Sequence, residues 1–365
     1  MGRLSSLDAF RGMTIAGMIL VNNPGSWQHV YAPFRHAEWH GWTPTDLIFP
    51  FFLFIVGVSV SLAFSKKMER ADSYVSLYTN IFRRSLILFA LGIALRLLFR
   101  FDFSHLRIPG VLQRIAICYL ISALIFSKVG TKGRVVIIFF LLVGYYLVMK
   151  LIPVPGYGAG VWDYQGNLCG YIDSKLLGGH LYKPQFDPEG ILSTFPAIAS
   201  TLLGTLAGDW LRSSKNVFWK SGGLFTAGTV LTVSGLLLHP LFPINKQLWT
   251  STYVLFSAGA ALIILGLCLW LMDGFGKKMW AYPFLVLGTN AIFVYVASTV
   301  MVKFLIVIKV STGQGAVALY TYSYEHLLVP LAGNLNGSLL FPLLLLVFWI
   351  LVLIPFYRNK IFIKI

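Results

Sequence analysis

The sequence predicts an all-α polytopic integral membrane protein of about ten transmembrane helices, with both termini cytoplasmic and ordered outer loops. Three observations carry this. Apolar runs near the ~20 residues needed to cross a bilayer recur along the whole 365-residue chain. Only 12% of residues are charged and 57% are hydrophobic, with mean hydropathy +0.76, whereas soluble domains carry about 25% charged residues. Lys and Arg gather in alternate connections, as the positive-inside rule places them.

The apolar runs fall at residues 7–23, 44–64, 84–99, 110–127, 135–152, 191–211, 221–240, 250–272, 281–303 and 338–357. The first lacks a small-residue cleavage site and is expected to stay as a membrane helix rather than leave as a signal peptide. Seventeen basic residues fall in the connections on one side, from Arg3, Lys66, Lys67 and Arg70 through Arg358, Lys360 and Lys364. Nine fall on the other: Arg35, Arg100, Arg107, Lys150, Lys175, Lys183, Lys246, Lys303 and Lys309. That asymmetry sets both termini on the cytoplasmic side. The chain reads as one domain, 1–365, with outer loops at 24–43, 153–190 and 304–337, the last beginning with a hydrophobic continuation. Loops this long are functional or disordered more often than incidental, and their Pro and Tyr content favours an ordered cap. No internal repeat of the kind common in secondary transporters is visible.

Net charge is +16, yet the basic residues are dispersed between hydrophobic runs, so nucleic acid is not an expected partner. Cys118, Cys169 and Cys268 make neither a disulfide framework nor a metal set. Cys169, in a loop, is the one with a conceivable redox role. The segment His36-Ala-Glu-Trp-His40 spaces two histidines four apart but lacks the HExxH pattern, and Pro33 and Gly41 oppose a helix there. No metal is expected.

The stretch 22–58 concentrates polar chemistry at the mouth of two membrane helices, where such residues are costly unless paired or used. Three of the seven histidines lie in it. His36 supplies an imidazole, a group able to accept a proton from a nucleophile. Asp46, just inside the second helix, is suited to orient that imidazole, and Asn22, ending the first, to polarise a carbonyl. Each has a plainer reading: a surface histidine, a helix-start carboxylate favoured by the dipole, and a C-terminal cap. On the same outer side lie Arg107, Arg114, Asp187, Glu189, Asn245 and Lys246, from separate segments that would converge at the mouth of a bundle. Trp39 and its aromatic neighbours suit stacking on a sugar ring or an interfacial belt. On the inner side, Arg11, Arg358 and Lys360 suit a phosphate-bearing ligand, although Arg11 is also spaced for an ion pair with Asp8. Asn290, at mid-membrane, needs a partner and is a candidate to line a passage.

The strings RLSSLDAFRG, FRHAEWHGWTPTDLIFPFFLFIVG, RIPGVLQR, GYIDSKLLGGHLY, FDPEGIL, PINKQLW and RNKIFIKI occur in this order. Together they resemble the catalytic membrane domain of the heparan-alpha-glucosaminide N-acetyltransferases and their bacterial NagX-type relatives. The resemblance implies acetyl-CoA as a cytoplasmic donor and an amino sugar as acceptor on the opposite side. His36 matches the family's catalytic histidine, Asn22 its asparagine at the end of the preceding helix, and Asp46 the aspartate of its DLxFP string. The sequence departs from the family at NNPGSW, which stands where a glycine-rich turn is usual. It is also expected to do without the lumenal extension and extra first helix of the lysosomal enzymes, and its 153–190 loop is shorter.

The expected function is therefore a transmembrane acetyltransferase acting on a glucosamine-type sugar in the bacterial inner membrane. His36, Asn22 and Asp46 are its catalytic residues. Arg11, Asn290, Arg358 and Lys360 are assigned to the cofactor. Trp39, Arg107, Arg114, Asp187, Glu189, Asn245 and Lys246 are assigned to the acceptor. The partners are the amino sugar, the lipid bilayer and a second copy of the chain as a homodimer. The alternatives are an amino-sugar permease without chemistry and an O-acyltransferase of a cell-envelope glycan.

Overall fold

A computed structural model describes residues 4–69, 74–99, 101–312 and 315–363; Arg3, Arg70, Arg100 and Lys364 of the charge count lie outside them. The chain is a predominantly helical multi-pass membrane protein. Its helices are α1 (Ser5–Asn22), α2 (Ile48–Glu69), α3 (Tyr74–Leu97), α4 (Val111–Lys128), α5 (Thr131–Leu151), α6 (Leu168–Leu176) and α7 (Thr194–Arg212). They continue with α8 (Val217–Leu237), α9 (Ser251–Cys268), α10 (Tyr282–Thr289) and α11 (Ala291–Val307). A hairpin of β1 (Lys309–Thr312) and β2 (Gly315–Ala318) then leads to α12 (Leu319–Tyr322) and α13 (Val329–Arg358). Among the described residues, five helical stretches are long and apolar enough to cross a membrane, or six with the bent pair α10–α11.

Two segments differ from expectation. The run 281–303 is not one helix, because α10 and α11 meet at Asn290 with a 74° bend. The segment 304–337 is not an irregular loop. Beyond the hairpin, α13 begins at Val329 and is interrupted at Gly333, whose φ of 75° only glycine adopts without strain. The polar string from Gly333 to Ser338 hides this helix from a hydropathy reading. The 153–190 segment contains the short helix α6. Asn167 caps α6 by accepting from the Gly170 N–H at 2.8 Å, and short bridges pair Val154 with Gly158 and Lys183 with Phe186.

The chain forms two compact units. The first comprises residues 37–42 and 49–270. There α2 and α7 cross at glycines: a Cβ on Gly204 would stand 2.1 Å from the Phe54 carbonyl oxygen, and one on Gly57 1.9 Å from that of Thr201. Small residues of this kind let membrane helices approach at backbone distance. A separate core beneath the 153–190 segment joins Tyr145, Met149, Leu168, Cys169, Phe186, Phe242 and Leu248. Burial in this core pushes the Cys169 thiol up to about 12, which removes its redox role. The second unit comprises residues 2–36, 43–48 and 271–365. It uses the same device, with Gly12 of α1 against the Phe284 carbonyl and Gly288 of α10 against that of Asp8, each 1.8 Å from a would-be Cβ.

Candidate active site

In the second unit, Asn23 is the C-terminal cap residue of α1. It is buried, and its side-chain amide donates to the Ile19 carbonyl at 2.9 Å. Pro24 forbids a further turn. The loop that follows is pinned from inside: Arg35 Nε donates to the Val30 carbonyl at 2.7 Å and Thr45 Oγ1 to that of Pro33 at 3.1 Å. Thr43 then starts a 3₁₀ turn, Pro44–Leu47, with Asp46 as its third residue reaching back to the Thr43 N–H at 3.0 Å. This reciprocal cap holds one carboxylate oxygen. The other, Oδ1, lies 2.6 Å from His36 Nδ1. Asp46 is 1% exposed and the His36 side chain 40% exposed. An ionised carboxylate only accepts, so it keeps the imidazole proton on Nδ1 and makes Nε2 the basic nitrogen. A buried orienting carboxylate and a half-exposed imidazole form the arrangement that general base or nucleophilic catalysis requires.

Asn22 is the last residue of α1 and is exposed, and among the described residues its side chain makes no hydrogen bond. The buried asparagine is Asn23, and no sequence signal separates the two. Sequence reasoning also missed Thr43, whose backbone and hydroxyl hold Asp46.

At the other end of α1, Asp8 and Arg11 pair at 2.8 Å. A cleft of about 770 Å³ opens there within the second unit. It is lined by Ser5, Asp8, Tyr282, Leu285, Thr289, Tyr357, Arg358, Lys360 and Phe362. Arg358 and Lys360 are thus brought to one cavity. Asn290 does not present its amide to a passage. Its Nδ2 donates to the Ile361 carbonyl at 3.1 Å, and its Oδ1 accepts from the Ile363 N–H at 2.8 Å. The buried amide finds its partners in the tail after α13, which it fixes beside the cleft.

The first unit holds the acceptor candidates. Arg107 grips Asp187 with two hydrogen bonds, 2.7 and 2.6 Å, and bonds Glu189 as well. Asp187 is fully buried and also accepts from the backbone N–H groups of Tyr182 and Glu189, at 2.8 and 2.9 Å. These three residues bind one another. Arg114, 1% exposed, donates to the Gly190 carbonyl and Ser193 Oγ and lies over the Trp249 ring. Asn245 is buried and shapes its own turn by accepting from the Leu248 N–H at 2.9 Å. Its amide lies 3.3 Å from His40 Nδ1. Burial holds His40 below its ordinary value, with His239 adding to the effect and Asp163 opposing it. Trp39 packs edge-on against Tyr164 and Phe186, and its indole N–H donates to the Trp162 carbonyl at 2.8 Å. Lys246 is half-buried. Among the described residues no cluster of three or more His, Cys, Asp or Glu could hold a metal.

Residues 3–238, which include the His36 loop and the 153–190 segment, match the family described as heparan-alpha-glucosaminide N-acetyltransferase, catalytic. This chain belongs to that family. Curated relatives agree. The chain is 31% identical over 312 residues to a Homo sapiens protein named heparan-alpha-glucosaminide N-acetyltransferase and 30% identical over 308 residues to the Mus musculus protein of that name. Each alignment covers 69% of this chain and 46% of the relative, so the chain spans about half the length of the curated relatives it matches. Within the family-matched region lie Asn22, His36, Asp46 and Arg11; Asn290, Arg358 and Lys360 lie beyond it.

Proposed function

We propose that this protein is a multi-pass acetyltransferase of the bacterial inner membrane that moves acetyl from cytoplasmic acetyl-CoA to the amino group of a glucosamine-type sugar on the periplasmic side. One observation carries the reading: a half-exposed His36 whose Nδ1 lies 2.6 Å from the buried Asp46 carboxylate. In one route His36 Nε2 accepts the proton that the sugar amine gives up as its nitrogen attacks the thioester carbonyl, and the CoA sulfur leaves. In the other, Nε2 first takes the acetyl group and the amine then displaces the imidazole. Asp46 stabilises the imidazolium in both. The Asn22 amide is the proposed partner of the developing oxyanion.

Acetyl-CoA would enter the cleft of the second unit. There Arg358 and Lys360 would meet its phosphates, and the Asp8–Arg11 pair would flank it. Asn290 enters the proposal as the residue that positions the tail carrying Lys360. Asp8 and Asn22 stand fourteen positions apart on α1, about 21 Å at 1.5 Å per residue, so the acetyl group has to travel along this helix to reach His36. In the first unit, Lys246 and Trp39 are the proposed acceptor contacts, while Arg107, Arg114, Asp187, Glu189 and Asn245 hold the segments around them in shape.

The test uses vesicles with acetyl-CoA on the cytoplasmic face and glucosamine on the other, wild type against His36→Ala. The variant is expected to lose transfer while acetyl-CoA still raises the thermal midpoint, as a ligand of the folded state does. Transfer by the variant overturns the role of His36. The absence of any midpoint shift with wild-type protein favours a permease, and acetylation of N-acetylglucosamine favours an O-acyltransferase.

A further inference from the structure

The first unit holds a second cleft, of about 600 Å³, which the acetyl-transfer chemistry does not use. It lies where three of the membrane-length helical stretches end: Ser65 closes one, Lys128 closes the second and Thr131 opens the third. Its charged lining is Lys128, Arg134, Arg212 and Asp209, three basic groups against one acidic. The N-terminus of α5, a 21-residue helix, forms one wall. Its cap is Gly130, which supplies no side-chain acceptor, so the first N–H groups of the helix are available to an anion and the dipole favours one.

Arg134 provides the independent indication of a ligand. It is 3% exposed and lines the cleft. Nη1 donates to Thr205 Oγ1 at 2.8 Å, and Nη2 to Thr131 Oγ1 at 3.1 Å and to Asp209. Its Nε, although buried, has no partner among the described residues. Asp209 also accepts from Ser61 Oγ at 2.7 Å and lies 3.8 Å from Arg212, so a single carboxylate is shared between two guanidinium groups. Lys128 is exposed at the rim.

The surroundings point to a lipid as the source of the anion. From the cleft, α5 carries an exposed apolar stripe at Val135, Phe139, Val143 and Leu147, widened by Val136 and Phe140. The four-residue spacing keeps these side chains on one face. A phosphate held at the head of this helix would have its acyl chains laid along the stripe. We propose that this cleft binds the headgroup phosphate of an anionic phospholipid. The α5 N-terminus, Arg134 and Lys128 recognise the phosphate, and the α5 stripe receives the chains.

The full chain, purified in detergent and stripped of lipid, is titrated with phosphatidylglycerol, phosphatidylcholine and inorganic phosphate. Bound lipid is read by native mass spectrometry and stability by thermal midpoint. Phosphatidylglycerol is expected to be retained and to raise the midpoint, with phosphatidylcholine weaker and phosphate without effect. Lys128→Ala, at an exposed position that leaves the folded core untouched, is expected to weaken retention about fivefold. Equal protection by phosphate and phosphatidylglycerol overturns the lipid in favour of a soluble phosphate ester. Equal retention of the two lipids, or unchanged retention by Lys128→Ala, overturns the site. The wild-type comparison of the two lipids decides even where a variant folds poorly.

Discussion

Replacing Asp46 by asparagine is the sharpest probe of the His36 loop, because it changes charge and proton position while keeping shape. Asp46 accepts on both oxygens, from His36 Nδ1 at 2.6 Å and from the Thr43 N–H at 3.0 Å. Asparagine has one acceptor for these two donors. If its oxygen stays with Thr43, its NH₂ meets Nδ1, which must then accept, and the imidazole proton moves to Nε2. That nitrogen can no longer take a proton or an acetyl group. If its oxygen stays with His36, the cap at Thr43 is lost instead, at about 1 kcal/mol of local stability. Loss of the charge-assisted bond alone is worth about 1.5–3 kcal/mol, or roughly tenfold to 150-fold in rate. The wrong tautomer costs about 10⁴-fold in the serine protease triad. The expected loss of acetyl transfer is therefore at least about tenfold, with acetyl-CoA affinity unchanged. Steady-state transfer in reconstituted vesicles and a thermal-shift titration with acetyl-CoA measure the two quantities. Transfer within about twofold of wild type by a folded Asp46→Asn protein would refute the orienting role, since no arrangement of the amide preserves both contacts.

Three further expectations follow from neighbouring geometry. Arg107→Gln leaves the fully buried Asp187 without its counter-ion, and breaking a buried pair in this way costs about 3–5 kcal/mol, so folded yield and thermal midpoint fall; a variant that folds normally with only a weaker acceptor KM would make Arg107 a direct acceptor contact. Asn290→Ala removes both bonds to the tail at Ile361 and Ile363 and is expected to raise the acetyl-CoA KM and expose the tail to limited proteolysis, without altering the sugar KM. Asp173, in the 153–190 segment, is raised to about 6, chiefly by burial and further by Asp187, against the Ile191 N–H and Arg114. Its unfolded pKa is about 3.9, so between about pH 4 and pH 6 the unfolded chain releases the proton first and stability from this group falls as pH rises. Asp173→Asn should therefore melt above wild type beyond about pH 6 and level with it near pH 4.

Composition and hydropathy were enough for a helical membrane protein, because a bilayer demands long apolar helices and little else produces this pattern. Motifs were enough for the family and for the pairing of His36 with Asp46. These residues lie ten positions apart in one chain segment, and the Thr43 turn that joins them is local chemistry. Tertiary structure decided the rest. The run 281–303 is apolar enough to read as one span, and only packing shows the bend at Asn290, whose amide bonds a tail about seventy residues away. Five of the six polar acceptor candidates lie in connections between helices, and Arg114 lies in the first turn of α4. Whether a charged side chain faces a ligand or a neighbour depends on partners far along the chain, and Arg107, Asp187 and Glu189 found one another. The clefts escaped the sequence for the same reason. Each is made by ends of several helices, and a sequence states which residues are charged but not which helix ends stand together.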